Sequence, residues 1–179
     1  MKRTFLCLLI GWSAWFAMPA TGAAPAAAPA GECLSCRVSL DIPPNELWQG
    51  VRKGDLTIFA MKRGDELFAT IEVQKFYNEA RYSLDKMAGH YDEFCGADIV
   101  IDGRFAKRTI RGIPVRWGRG HGKSEDGSEF LVHLLFFNID ASYACKLTAV
   151  VRRQSRSLYE YLLPEIINSL RRLPDASNP

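Results

Sequence analysis

Read for the spacing of its apolar positions, the chain divides into extended runs and two helical stretches. Arg37 to Ile42 alternates polar and apolar until Pro43 and Pro44 stop it, which predicts an edge strand, with Trp48 in the turn that follows. Leu56 to Met61 and Leu67 to Phe76 flank KRGDE, whose Gly64 and Asp65 have turn chemistry, so a hairpin is expected. Ser83 can cap a helix in which Leu84, Met87, Tyr91 and Phe94 recur every three or four residues, with Gly96 just past its end. Ile99 to Ile101, Phe105 to Ile110 and Ile113 to Trp117 read as extended segments broken at Gly103 and Gly112. Phe130 to Ile139 is apolar at odd and even positions alike, the mark of a strand covered on both faces, and Tyr143 to Val151 continues the sheet after a turn at Asp140. Ser157 and Glu160 have capping-box spacing before a helical face of Leu158, Leu162, Ile166 and Leu170 that runs to Leu173, with a kink expected at Pro164.

The N-terminus changes the picture from a plain globular chain to an exported one. Lys2 and Arg3 precede the apolar run Phe5 to Phe16, and Thr21 to Ala24 are small or short, which is the order of a secretory signal over residues 1–23. The apolar run is shorter than the roughly 20 residues a membrane-spanning helix needs. Glu32 precedes Cys33, so no lipid-attachment site is expected there, and contact with a membrane is expected only during export. Residues 24–31 read APAAAPAG, a spacer too poor in side chain to offset its ordering entropy. Residues 32–173 then form one domain, and 174–179 a disordered tail. Loss of Lys2 and Arg3 leaves 21 basic against 20 acidic residues, a formal charge of +1, which gives no case for nucleic acid.

Export puts the cysteines in an oxidising compartment. Cys33, Cys36, Cys95 and Cys145 remain after the leader is removed and allow three pairings, with long-range bridges favoured because they constrain the unfolded chain most. The CLSC stretch could instead be a redox dithiol, but such a pair belongs at a helix N-terminus, whereas CLSC runs into the strand-like RVSLDIP. A metal site built from these four is disfavoured by the isolation of Cys95 and Cys145.

GHGKS, at 120–124, resembles the end of a phosphate-binding loop. The loop needs a glycine five positions before that of the GK pair, where Trp117 stands, and its lysine and serine must open a helix, whereas Ser124 leads into EDGSEF. Nucleotide binding is therefore not expected, and residues 118–128 read as a mobile connection between strands. His133 is expected in a sheet with a satisfied ring, and His121 in an exposed loop; neither has a metal-ligand partner at suitable spacing, and no GxSxG elbow is present. No cofactor, metal or catalytic residue is assigned. Arg104, Lys107, Arg108, Arg111, Arg116 and Arg119 accumulate along consecutive extended segments and could form a basic docking face, or a solvated edge protected by charge.

The run SLDIPPNELWQG, the hairpin, the helix opened by SLDKMAG, the strand carrying IRGIPVRW, two long strands and the ending EIINSLRRL resemble the PsbP-like and DcrB-like group of exported bacterial domains. The resemblance covers Val38 to Leu173 and rests most on Pro43 and Trp48, on Gly112, and on Ile167, Ser169 and Leu170. It implies an α+β fold, an antiparallel sheet sandwiched by helices in α/β/α layers, without enzyme activity. The expected function is that of a periplasmic accessory or binding protein acting through an envelope or exported protein partner, an immunity-type role being its narrower form. Two alternatives come from the residues themselves, a thiol-disulfide oxidoreductase using CLSC and a small-ligand or anion carrier using the basic face.

Overall fold

The computed structural model describes residues 31–44, 47–95, 99–124 and 127–174. The expected leader, residues 24–30 of the spacer, residues 175–179 of the tail, and Gly96 lie outside the described residues.

The scaffold is an eight-stranded antiparallel sheet. Its strands are β3 (Trp48–Lys53), β4 (Leu56–Arg63), β5 (Glu66–Tyr77), β6 (Ile99–Ile101), β7 (Ala106–Ile110), β8 (Ile113–Lys123), β9 (Glu129–Asn138) and β10 (Tyr143–Arg152). They run in the order β3-β4-β5-β10-β9-β8-β6, with β7 also on β8. A second sheet joins β1 (Glu32–Cys33), β2 (Val38–Ser39) and β11 (Arg171–Arg172). The expected hairpin forms, Arg63 pairing with Glu66 across Gly64 and Asp65.

The central strands carry apolar side chains on both faces, as their unbroken hydrophobicity requires. On the front face Phe59, Ile71, Val115, Leu135, Phe137 and Leu147 meet Leu163, Ile166 and Leu170 of the C-terminal segment and Val38 and Leu40 of the small sheet. On the back face Phe130, Val132, Leu134, Phe136 and Val150 meet Met87, Ala88 and Cys95. The back cover is α1 (Leu84–Gly89) and α2 (Tyr91–Phe94), α1 being capped by the Ser83 side chain, which accepts from the Lys86 amide at 3.2 Å.

This is not the helix-sandwiched α/β/α fold expected from the resemblance. The molecule is mostly antiparallel sheet, and its helices are short: six residues in α1, four in α2 and six in α3 (Leu163–Asn168). The expected single helix from Leu84 to Phe94 breaks at His90, whose φ of −118° and ψ of 35° leave the helical region. The C-terminal helix begins as a 3-10 turn at Arg153–Ser155 and a π-helical turn at Leu158–Leu162. Ser157 is itself helical and makes no side-chain cap, so the expected capping box is not made. Pro164 follows directly where the π-helical turn at Leu158–Leu162 passes into α3, so the break in regular helix expected there takes the form of that turn. Beyond Ser169 the chain turns into β11 and pairs with β2 instead of staying helical to Leu173.

Two segments read as irregular are strands. Trp48 does not lie in a turn but opens β3, which pairs with β4 from Trp48 opposite Met61 to Lys53 opposite Leu56. Residues 118–123 continue β8 as far as Lys123 opposite Glu129, so the mobile connection expected from residue 118 is instead paired strand over that stretch. The glycines explain the extension. A Cβ at Gly118 would come within 2.8 Å of the Phe105 ring, and one at Gly120 within 2.1 Å of the Val100 carbonyl oxygen. Glycine here lets Phe105 and β6 lie flat on the strand; the GHGK sequence serves packing.

Candidate functional site

The cysteines come first. Cys36 is bonded to Cys145 on β10, a separation of 109 residues, and Cys33 and Cys95 are buried outside that bridge. Of the four sequence candidates the structure therefore joins one long-range pair. The CLSC dithiol is not formed, because Cys36 faces β10. Cys33 belongs to the front core and Cys95 to the back, so the sheet separates the two remaining thiols. The Cys33 thiol lies 3.4 Å from the Ser35 hydroxyl and 4.0 Å from the Val73 carbonyl oxygen.

His133 is fully buried on β9 with both ring nitrogens engaged. The Trp117 indole N–H donates to Nδ1 at 3.1 Å, and Nε2 donates to the Tyr159 carbonyl at 2.9 Å. Burial holds its pKa down to about 4, against the opposing pull of the Tyr159 carbonyl. The ring stacks on Tyr159 at 4.3 Å, joining the π-helical turn to the sheet. These contacts make it the satisfied sheet histidine expected. His121 is on β8 and not in a loop, with Nδ1 3.0 Å from Asp102 Oδ1 and both side chains exposed. Among the described residues no group of three or more His, Cys, Asp or Glu could hold a metal.

The six basic candidates fall into groups on the two faces of the sheet. Arg116 clasps Asp85 of α1 with two hydrogen bonds, of 2.7 and 2.9 Å, and Lys107 reaches the same carboxylate at 3.1 Å. Those contacts, the Arg116 hydrogen bonds above all, hold the Asp85 carboxyl well below the usual range. Arg108 and Arg119 instead lie over the Trp117 ring on the front side, at 4.7 and 6.0 Å. Arg111 is 3.9 Å from Asp41, and Arg104 is exposed after β6.

Three features had little or no signal in the apolar spacing. Glu72 alternates in β5 like a solvent-facing residue, yet desolvation raises its carboxyl, with the Lys146 ammonium acting in the opposite sense. Lys146 itself donates to the Phe94 carbonyl at the end of α2, at 2.8 Å. The third feature is aromatic. Tyr77 ends β5 and Tyr143 begins β10, the two are register partners, and their rings lie 5.5 Å apart. Tyr77 is 61% exposed and Tyr143 36%, and the Lys75 ammonium stands 4.0 Å over the Tyr143 ring.

That end of the sheet is held firmly. Asp140 accepts from the Ser142 and Tyr143 amides at 2.7 and 2.9 Å, which lowers its carboxyl and fixes the turn before Tyr143. The Asn78 amide donates to the Ser142 carbonyl at 2.8 Å, tying the end of β5 to the same turn. Two residues beyond Tyr143 the disulfide pins the CLSC turn, whose Leu34 is 48% exposed. Leu34, Lys75, Tyr77 and Tyr143 are thus carried at one end of the sheet by paired backbone and a covalent bond.

No protein-family model matches the chain, and no curated protein matches it. Among solved structures it is similar to the crystal structure of LpqN, involved in cell envelope biogenesis of Mycobacterium tuberculosis, with a TM-score of 0.56 at 12% identity over 76% of this chain and 84% of that one. The likeness is one of fold, shared with a cell-envelope protein, and it does not single out the PsbP-like or DcrB-like group.

Proposed function

We propose that the chain is a non-enzymatic exported accessory protein that works in the cell envelope by docking another protein onto the Tyr77–Tyr143 end of its sheet. The observation that carries this reading is the exposed tyrosine pair on a pinned strand end. Tyrosine supplies a large, rigid contact with a polar tip at little entropic cost, and aromatic residues dominate the energetics of docking surfaces. The secretory order of residues 1–23 supports export to the periplasm, and no helix among the described residues is long and apolar enough to cross a membrane. The fold shared with LpqN supports an envelope setting, and a relation to PsbP-like or DcrB-like domains would fit the same role. An immunity-type function is the narrower form of this proposal.

Site-specific photo-crosslinking in cells tests it. A photoreactive residue at Tyr77 is expected to trap one envelope protein, while the same residue at Asp65, on the exposed turn at the opposite end of β5, traps none. Equal labelling from both positions, or none from Tyr77, would count against the docking surface.

A further inference from the structure

The front face of β3 carries Trp48, Gly50 and Arg52, and opposite Arg52 on β4 stands Thr57, in the second pair from the hairpin turn at Gly54 and Asp55. Four polar atoms here are enclosed without a hydrogen-bond partner: Trp48 Nε1, Arg52 Nε, Arg52 Nη2 and Thr57 Oγ1. Thr57 is fully buried, opposite Val73 of β5, whose carbonyl oxygen meets the Cys33 thiol. The three nitrogens can only donate, and the hydroxyl has a proton to give. Nε and Nη2 form the edge of a guanidinium that grips two oxygens of one planar or tetrahedral oxyanion. Buried donors left unpaired cost about 1–3 kcal/mol each, and native structures rarely leave several together. Asp55, the carboxylate nearest in sequence, is exposed at the hairpin turn and makes no ion pair with Arg52 among the described residues. Gly50 keeps any side chain from standing between Trp48 and Arg52 on this face.

We infer that Arg52 and Thr57 form a binding site for an oxyanion, a carboxylate or a phosphate group, on the front of the β3–β4 hairpin. Arg52 grips two oxygens with its Nε–Nη2 edge and the Thr57 hydroxyl donates to the same group. Trp48 adds an indole N–H on the same face. The site uses none of the residues of the tyrosine surface and stands independently of the docking reading.

The test is thermal unfolding of the mature protein in sodium acetate, sodium phosphate and sodium chloride at matched ionic strength. A saturable rise in Tm with acetate, phosphate or both, over chloride, is expected. Acetate alone identifies a carboxylate ligand, phosphate alone a phosphoryl ligand, and both a general oxyanion site. Arg52→Lys keeps the charge and loses the fork, and Thr57→Val keeps the shape and loses the hydroxyl; each is expected to weaken the apparent affinity about tenfold or more. Should Arg52→Lys fail to fold, Thr57→Val carries the comparison. No rise over chloride in the wild type, or an undiminished rise in a folded variant, overturns the site.

Discussion

His133 ties the chemistry of one side chain to the stability of the whole. Its neutral form fits both partners: Nδ1 accepts from Trp117, and Nε2 donates to Tyr159. A second proton would have to go on Nδ1, against the indole N–H. The folded pKa of about 4 lies below the ordinary 6.5, so between those values the unfolded chain binds more protons than the folded one. Stability from this group is therefore complete above pH 6.5 and is lost as pH falls through the window to about 4. At about 1.4 kcal/mol per pH unit, the loss is on the order of 3 kcal/mol. Urea unfolding at a series of pH values should show stability falling with pH by about that amount more in the wild type than in His133→Phe over the same window. The histidine's structural role was legible because it interrupts an apolar strand. The cysteines were legible only as a set, since spacing says which residues are available but not which sulfurs the sheet brings together. The orphan donors of Arg52 and Thr57 had no signal, because Trp48 to Lys53 did not read as a strand.

Elements follow local pattern where that pattern is strong and fail where tertiary contact replaces it. The hairpin, β9 and β10 were readable because alternation or continuous hydrophobicity dictates a strand whatever surrounds it. β3 and the end of β8 were not, since WQGVRK and GRGHGK have low intrinsic strand preference and are held by their neighbours. In β8 the holding contact is specific enough to test. A Cβ at Gly120 would overlap backbone, the Val100 carbonyl, whereas one at Gly118 meets only the Phe105 ring. Gly120→Ala should therefore detach β6 and cost several kcal/mol, on the scale of severe core disruption. Gly118→Ala should cost clearly less, because the ring can rotate away. Unfolding free energies of the two variants check the order. The helical misreading has a comparable cause: Leu84, Met87, Tyr91 and Phe94 keep helical spacing, yet the chain leaves the helix at His90 and α2 restarts with Tyr91.

At the scale of the whole molecule, a broad antiparallel sheet with two cores presents one exposed aromatic end fixed by a disulfide, with Cys36 held in that bridge and His133 engaged at both ring nitrogens. The helical sandwich implied by resemblance failed because order of elements was legible and layer composition was not; two-residue strands such as β1 and β11 leave no periodic trace, and the edge strand expected over Arg37 to Ile42 is only β2, in the middle of the small sheet. Docking through the tyrosine end can be read out by affinity capture. Mature protein and a Tyr77→Ala/Tyr143→Ala variant would be immobilised, exposed to the same envelope extract and washed identically, with circular dichroism and unfolding confirming that the variant is native. One specific partner is expected on the wild type and a tenfold or greater loss on the variant, roughly the effect of removing a binding hot spot. Equal retention of that partner by the folded variant would contradict it.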